Sequence, residues 1–219
     1  MIIFGDIHAY WPVLNSYLRH LPENKISNVI VCGDFGYWPK FKEFDLKHIN
    51  TERCKIYFCP GNHEDWWALP KTYEITELYK NIFYCPFGTT LNIENKNLLF
   101  CGGAESIDKQ HRRIGYDWFP DEIISYQDME HLPPKSANID IVISHTCPSF
   151  VFNKLPVAFN NKALDPSCKM LDFVHSIFRP KLWYFGHFHM YKKMNLDNTT
   201  FTCLNEIGEQ GAFAEYVNG

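Results

Sequence analysis

The sequence predicts an α/β fold with a largely parallel sheet, on three observations. Five short apolar runs recur along the chain, "MIIF", "NVIV", "KIYFC", "DIVI" and "KLWYF". Continuous runs rich in β-branched or aromatic residues suit strands covered on both faces. Helix-like segments lie between the early runs, the alternation that builds parallel sheets. Each run also ends in polar residues able to bind metal, four of the five with a glycine at or just before them. In open α/β sheets, sites form outside the carboxyl ends of the strands, so the five ends can converge on one cleft.

Taken in order, "MIIF" delivers "GDIH", and residues 12–20 follow as a helix behind Trp11-Pro12, proline suiting a first helical turn. "NVIV" delivers "CGDF", with a helix expected over 40–50, and "KIYFC" delivers "PGNHE". Region 72–103 reads as strands joined by turns, and Ser125–His131 as a short helix. "DIVI" delivers "SHT", a helix is expected over 167–178, and "KLWYF" delivers "GHFH". Residues 190–196, 199–205 and 211–217 read as strands. The late strands and those of 72–103 should form antiparallel pairs, in a second sheet packed on the first.

Length and composition bound the function. A chain of 219 residues, 46% hydrophobic, is enough for one sizeable core, and one domain over 1–219 is expected. A net charge of −4 argues against a generally basic nucleic-acid binder. The N-terminus lacks the pattern of a signal peptide, and no run approaches a transmembrane length. The eight cysteines are scattered without a CxxC pair, mostly within apolar runs. They read as reduced core thiols of a cytoplasmic protein.

The strand-end residues are Asp6, His8, Asp34, Asn62, His63, His145, His187 and His189, and they include five of the ten histidines. Each alone has an ordinary reading. Asp6 or Asp34 can cap a helix, Asn62 can hold a left-handed turn, and His145 can be a satisfied core histidine. Eight together at successive strand ends favour a site. Carboxylate, imidazole and amide oxygen suit manganese, iron or zinc rather than soft copper sites. With Asp6 and Asp34 as the anionic ligands, two divalent ions carry +4 against −2, and a bridging hydroxide leaves about +1, which attracts an anionic phosphate ester.

In this order, "GDIH", "GD", "GNHE", "SH" and "GHFH" resemble the motifs of the calcineurin-like metallophosphoesterases, across residues 5–189, and the loop at 102–125 resembles one in their small bacterial and phage-type members. The resemblance implies a four-layer α/β/β/α sandwich with two mixed β-sheets. It implies Asp6, His8 and His189 on one metal ion, Asn62, His145 and His187 on the other, and Asp34 bridging. It implies His63 as proton donor to the leaving group or as transition-state stabiliser. The expected cofactors are two divalent ions, manganese first, with iron, zinc or nickel as alternatives.

The chain departs from the family in places. Phosphoprotein phosphatases and diadenosine tetraphosphatases carry a further Asp and an Arg just after the second motif; here Tyr37 takes the Asp position and no Arg follows. The orienting partner of His63 is therefore open, with Glu64 and Asp65 adjacent in sequence. Ala9 stands where glycine is usual, a change of little expected consequence. The long polar loop 102–125 offers Arg112 and Arg113 as forks for a substrate phosphate, and Tyr116 or Trp118 as stacking platforms. Its ordinary reading is a solvated loop pinned by Trp118. Trp66-Trp67 and Tyr37-Trp38 either line a cleft or shield it.

The expected activity is hydrolysis of a phosphate ester by in-line attack of a metal-bridging hydroxide, assisted by His63. A phosphodiesterase acting on a nucleotide-like or small organic phosphate is the first reading. A phosphomonoesterase or protein phosphatase is the alternative, and a non-catalytic binding module a third. The expected partner is that small substrate, with no membrane and no extended nucleic-acid surface.

Overall fold

A computed structural model describes residues 1–156 and 165–216. Its first sheet contains β1 (Ile2–Phe4), β2 (Ser27–Cys32), β3 (Cys54–Cys59), β4 (Thr76–Tyr79), β5 (Ile82–Tyr84) and β12 (Phe213–Glu215). Its second contains β6 (Thr90–Ile93), β7 (Lys96–Cys101), β8 (Ile141–Ser144), β9 (Leu182–Phe185), β10 (Lys192–Leu196) and β11 (Thr199–Cys203). The spatial orders are β12-β1-β2-β3-β5-β4 and β10-β11-β9-β8-β7-β6. In each sheet the four central strands are parallel and both edge strands are antiparallel.

The apolar runs are strands covered on both faces, and alternation decides which residue meets which layer. Ile30, Cys32, Tyr57 and Cys59 of the first sheet meet Leu98, Phe100, Ile141 and Ile143 of the second, forming the layer between the sheets. Val29, Val31, Ile56 and Phe58 face outward, against Trp11, Leu14 and Leu18 of α1 (Trp11–Leu18). On the far side, Leu99, Val142 and Trp183 pack with Val151 of α3 (Ser149–Phe152) and Leu171 and Val174 of α4 (Pro166–Phe178). This is the four-layer α/β/β/α sandwich. A further short helix, α2 (Tyr126–Met129), opens on a Ser125–Asp128 capping box. Among the described residues, no helix is long and apolar enough to cross a membrane. All eight cysteines are buried and free.

Three expectations need correction. Residues 40–50 form turns and a single 3₁₀ turn, Leu46–His48, instead of an α-helix. The Asp45 side chain accepts the Lys47 N–H, a local bond that competes with a continuing helix. The strands of 72–103 do not share a sheet: β4 and β5 pair at the edge of the first, β6 and β7 at the edge of the second. The last strand returns to the first sheet beside β1 (Ile3 opposite Ala214), while residue 217 of the expected 211–217 lies outside the described residues.

Candidate active site

The eight strand-end residues come together where the carboxyl edges of the two sheets meet. Asp6 follows β1, Asp34 follows β2, and Asn62 and His63 follow β3. From the second sheet, His145 follows β8, and His187 and His189 follow β9. The His187 N–H reaches both Asp6 carboxylate oxygens at 3.0 Å and so ties the sheets together. Glycines clear room for the carboxylates. A Cβ on Gly186 would collide with Asp6 Oδ1, and one on Gly61 would collide with Asp34 Oδ1. His8, Ala9, Asp34, His187 and His189 all have positive φ. Each such non-glycine residue costs about 1 kcal/mol or more, and strain of this kind gathers at functional sites. Ala9 is thus a strained position rather than a neutral change.

Two groups of ligand atoms result. In the first, one ligand atom each from Asp6, His8 and His189 lies within 4.8 Å of the others. His189 Nε2 is 3.1 Å from Asp6 Oδ2 and 3.2 Å from His8 Nε2. The bond to Asp6 raises the His189 imidazole above its ordinary value against the effect of burial. The second group centres on His145 Nε2, with Asn62 Oδ1 at 2.9 Å, Asp34 Oδ1 at 3.2 Å and His187 Nδ1 at 3.2 Å. Asp34 stands between the groups, its other oxygen 3.8 Å from His8 Nε2.

The second group can be read donor by donor. His145 Nδ1 lies 2.9 Å from the Cys32 carbonyl and must carry the hydrogen donated there. The Asn62 amide nitrogen donates to Ser106 Oγ at 3.3 Å, which turns its oxygen inward. Unprotonated, His145 Nε2 would therefore aim a lone pair at two oxygens and a second imidazole. Such a cluster needs a positive charge at its centre. In the metal-free protein a proton on His145 supplies it. Burial opposes that proton, but Asp34 and then Asp6 push the imidazole up to about 10. Burial likewise opposes the Asp34 charge, yet His145, His63 and His8 hold its carboxyl well below the usual carboxylate range. Burial and the neighbouring His145 drive His187 down to about 3. Convergent, buried, lone-pair-bearing N and O atoms held by outer hydrogen bonds fit hard or borderline divalent ions.

His63 lies at the rim. Its backbone N–H donates to Asp34 Oδ1 at 2.8 Å, and its Nε2 is 3.3 Å from Arg112 Nη2. Arg112 is thus the ring's neighbour. Its own Nε pairs with Asp108 at 2.7 Å, and its Nη1 donates to the Asp117 carbonyl at 3.3 Å. Arg113 goes elsewhere, its guanidinium stacked 4.0 Å from the Tyr116 ring centroid. Trp118 is pinned by its indole N–H to Glu122 at 2.9 Å and is not a free platform, whereas Trp67 and Tyr116 are exposed. Trp66 donates to the Gly61 carbonyl at 2.9 Å and so braces the third motif.

Sequence reasoning missed several supports. Glu64 does not orient His63. It is fully buried and accepts the Gly36 N–H at 3.0 Å and the Gly61 N–H at 2.6 Å, joining the second motif to the third. Burial, with Asp34 nearby, pushes its carboxyl up to about 8. Asp65 pairs with Lys40 at 3.2 Å, and Lys40 donates to the Tyr116 carbonyl at 2.6 Å, clamping the Arg112 loop. The clue for Glu64 was an acid beside glycine turns whose N–H groups need acceptors.

The family model described as calcineurin-like phosphoesterase matches residues 1–191 of the chain. No curated protein matches it. The phosphopantetheinyl hydrolase of Mycobacterium tuberculosis superposes with a TM-score of 0.51 at 13% identity, covering 100% of this chain and 98% of that one. The protein TT1561 of Thermus thermophilus superposes with a TM-score of 0.54 at 11% identity, covering 95% and 90%. At these identities the structural likenesses speak for the fold.

Proposed function

The chain belongs to the calcineurin-like phosphoesterase family and is a metal-dependent phosphoester hydrolase; from that premise we propose that it is a phosphodiesterase acting on a small organic or nucleotide-like phosphate. Asp6, His8 and His189 would hold one divalent ion and Asn62, His145 and His187 a second, with Asp34 facing both. Manganese is the first choice of ion, since its hard character matches this oxygen-and-imidazole set. When bound, such ions supply Lewis acidity, lowering the pKa of water and offsetting charge on phosphoryl oxygens.

The chain's own residues do the rest. Arg112 binds a phosphoryl oxygen, leaving His63 to do so. His63, held in place by its backbone bond to Asp34, carries a proton to the departing oxygen. Trp67 and Tyr116 offer exposed rings on the loops that carry His63 and Arg112, suited to a leaving group with an aromatic or nucleobase face.

The observation that carries the diester reading is the pairing of Arg112. Its guanidinium is already balanced by Asp108 at 2.7 Å, so the surplus positive charge at the rim is small. That provision matches the single charge of a diester better than the dianion of a monoester. Tyr37 points the same way, standing where phosphatase relatives carry an Asp. The test compares bis(p-nitrophenyl) phosphate with p-nitrophenyl phosphate on manganese-loaded protein at neutral pH. Faster turnover of the diester supports the proposal. Faster turnover of the monoester overturns it in favour of a phosphomonoesterase.

A further inference from the structure

The loop 102–125 sends a second, wholly buried connection into the site, away from Arg112. Ser106, Glu122 and Asn62 are 1%, 0% and 4% exposed. Glu122 Oε1 accepts both the Ser106 backbone N–H and, at 2.9 Å, the Trp118 indole N–H. The Ser106 hydroxyl also faces this carboxylate and favours its charged form. Glu122 Oε2 has no hydrogen-bond partner among the described residues. Burying a carboxylate with one oxygen unpartnered costs about 1–3 kcal/mol or more, so its retention calls for a reason.

We infer that Ser106, backed by Glu122, is a positioning residue that fixes which way the Asn62 amide faces. A serine hydroxyl has one hydrogen to give. Directing that hydrogen at Glu122, whose Oε1 already holds the Ser106 backbone N–H, leaves Ser106 Oγ to accept from the amide nitrogen of Asn62, 3.3 Å away. The amide oxygen is then turned to His145 Nε2, 2.9 Å away, among the atoms of the second group. Without the hydroxyl the amide is free to rotate by half a turn. Its nitrogen would then face His145 Nε2, presenting hydrogens where a cation needs an oxygen. Glu122 Oε1 accepts in either protonation state, so the arrangement holds across pH. The inference rests on the proposal that Asn62 is a metal ligand, and it adds outer residues that belong to a loop rather than to any of the five strand-end motifs.

The test is calorimetric titration of metal-free protein with Mn²⁺. In Ser106→Ala, one of two binding events should weaken roughly 10–100-fold, the usual cost of losing an outer hydrogen bond to a metal ligand. The other event, at Asp6, His8 and His189, should stay within about twofold of the original. In an Asn62→Ala background the same Ser106→Ala change should add less than about a twofold loss, because its route runs through Asn62. Glu122→Gln should move the same event in the same direction by less, and carries the test should Ser106→Ala fail to fold. Wild-type and Ser106→Ala proteins binding Mn²⁺ alike would overturn this inference alone. So would an equal loss with and without Asn62. Wild-type protein that binds no Mn²⁺ would overturn the metal assignment and this inference with it.

Discussion

Arg112 holds Nη2 3.3 Å from Nε2 of His63, so the ring meets a guanidinium donor at the nitrogen that would serve the leaving group in the proposed mechanism. In that mechanism substrate draws Arg112 away, a phosphoryl oxygen being the attractor. Arg112→Ala should lower kcat/KM roughly 10–100-fold, chiefly through KM, the range of a lost charge-assisted hydrogen bond. Arg113→Ala, removing a guanidinium stacked on Tyr116, should change it less than about twofold. Steady-state kinetics of both variants at equal metal content decide; equal effects would place both arginines, or neither, at the phosphate.

His63→Ala should leave metal binding intact and reduce kcat by about 10²–10⁴-fold on an ester with a poor leaving group. The loss should shrink sharply for p-nitrophenolate, which departs without a proton. A loss independent of leaving-group pKa, measured over a series of aryl esters, would assign His63 to charge stabilisation instead.

Glu64 binds two motif loops through the Gly36 and Gly61 N–H groups. Glu64→Ala leaves both donors buried and unmet, at about 1–3 kcal/mol each. Urea denaturation should show a loss of roughly 2–5 kcal/mol. A change below about 0.5 kcal/mol would mean that solvent reaches those amides.

Burial pushes the Glu122 carboxyl up to about 7 from 4.5. Between these values the folded protein binds a proton that the unfolded chain has lost. Its contribution is therefore complete below the unfolded value and is lost as pH rises through the folded one. Glu122→Gln, which cannot ionise, should match wild type at about pH 5 and be more stable at about pH 8 by up to roughly 3 kcal/mol. Denaturation at the two pH values checks the sign. A stability difference independent of pH would show that Glu122 ionises freely in the fold.

The strand-end residues were legible because each sits directly behind an apolar run, and parallel strands carry such ends to one edge. The ligand types narrowed the chemistry further. What escaped the sequence were links between distant segments. Nothing local distinguishes Arg112 from Arg113 in a loop without periodicity. Glu64, Ser106 and Glu122 act through backbone and buried side-chain bonds, which leave no spacing signature. Residues 40–50 carry apolar positions at helix-like intervals, yet Lys40 is drawn to Asp65 and Tyr116, and Asp45 turns the chain. The return of β12 to the first sheet depends on pairing with β1, at the opposite end of the chain.

The most direct test of a site in which Asp34 serves two ions is metal stoichiometry. Metal-free wild-type protein and Asp34→Asn are each reloaded with Mn²⁺, freed of excess, and analysed for bound metal. Two ions per wild-type chain are expected, with at most one retained by Asp34→Asn and diester turnover lost. A single ion in the wild type, or two ions held as tightly by Asp34→Asn, would contradict a shared carboxylate between two metals.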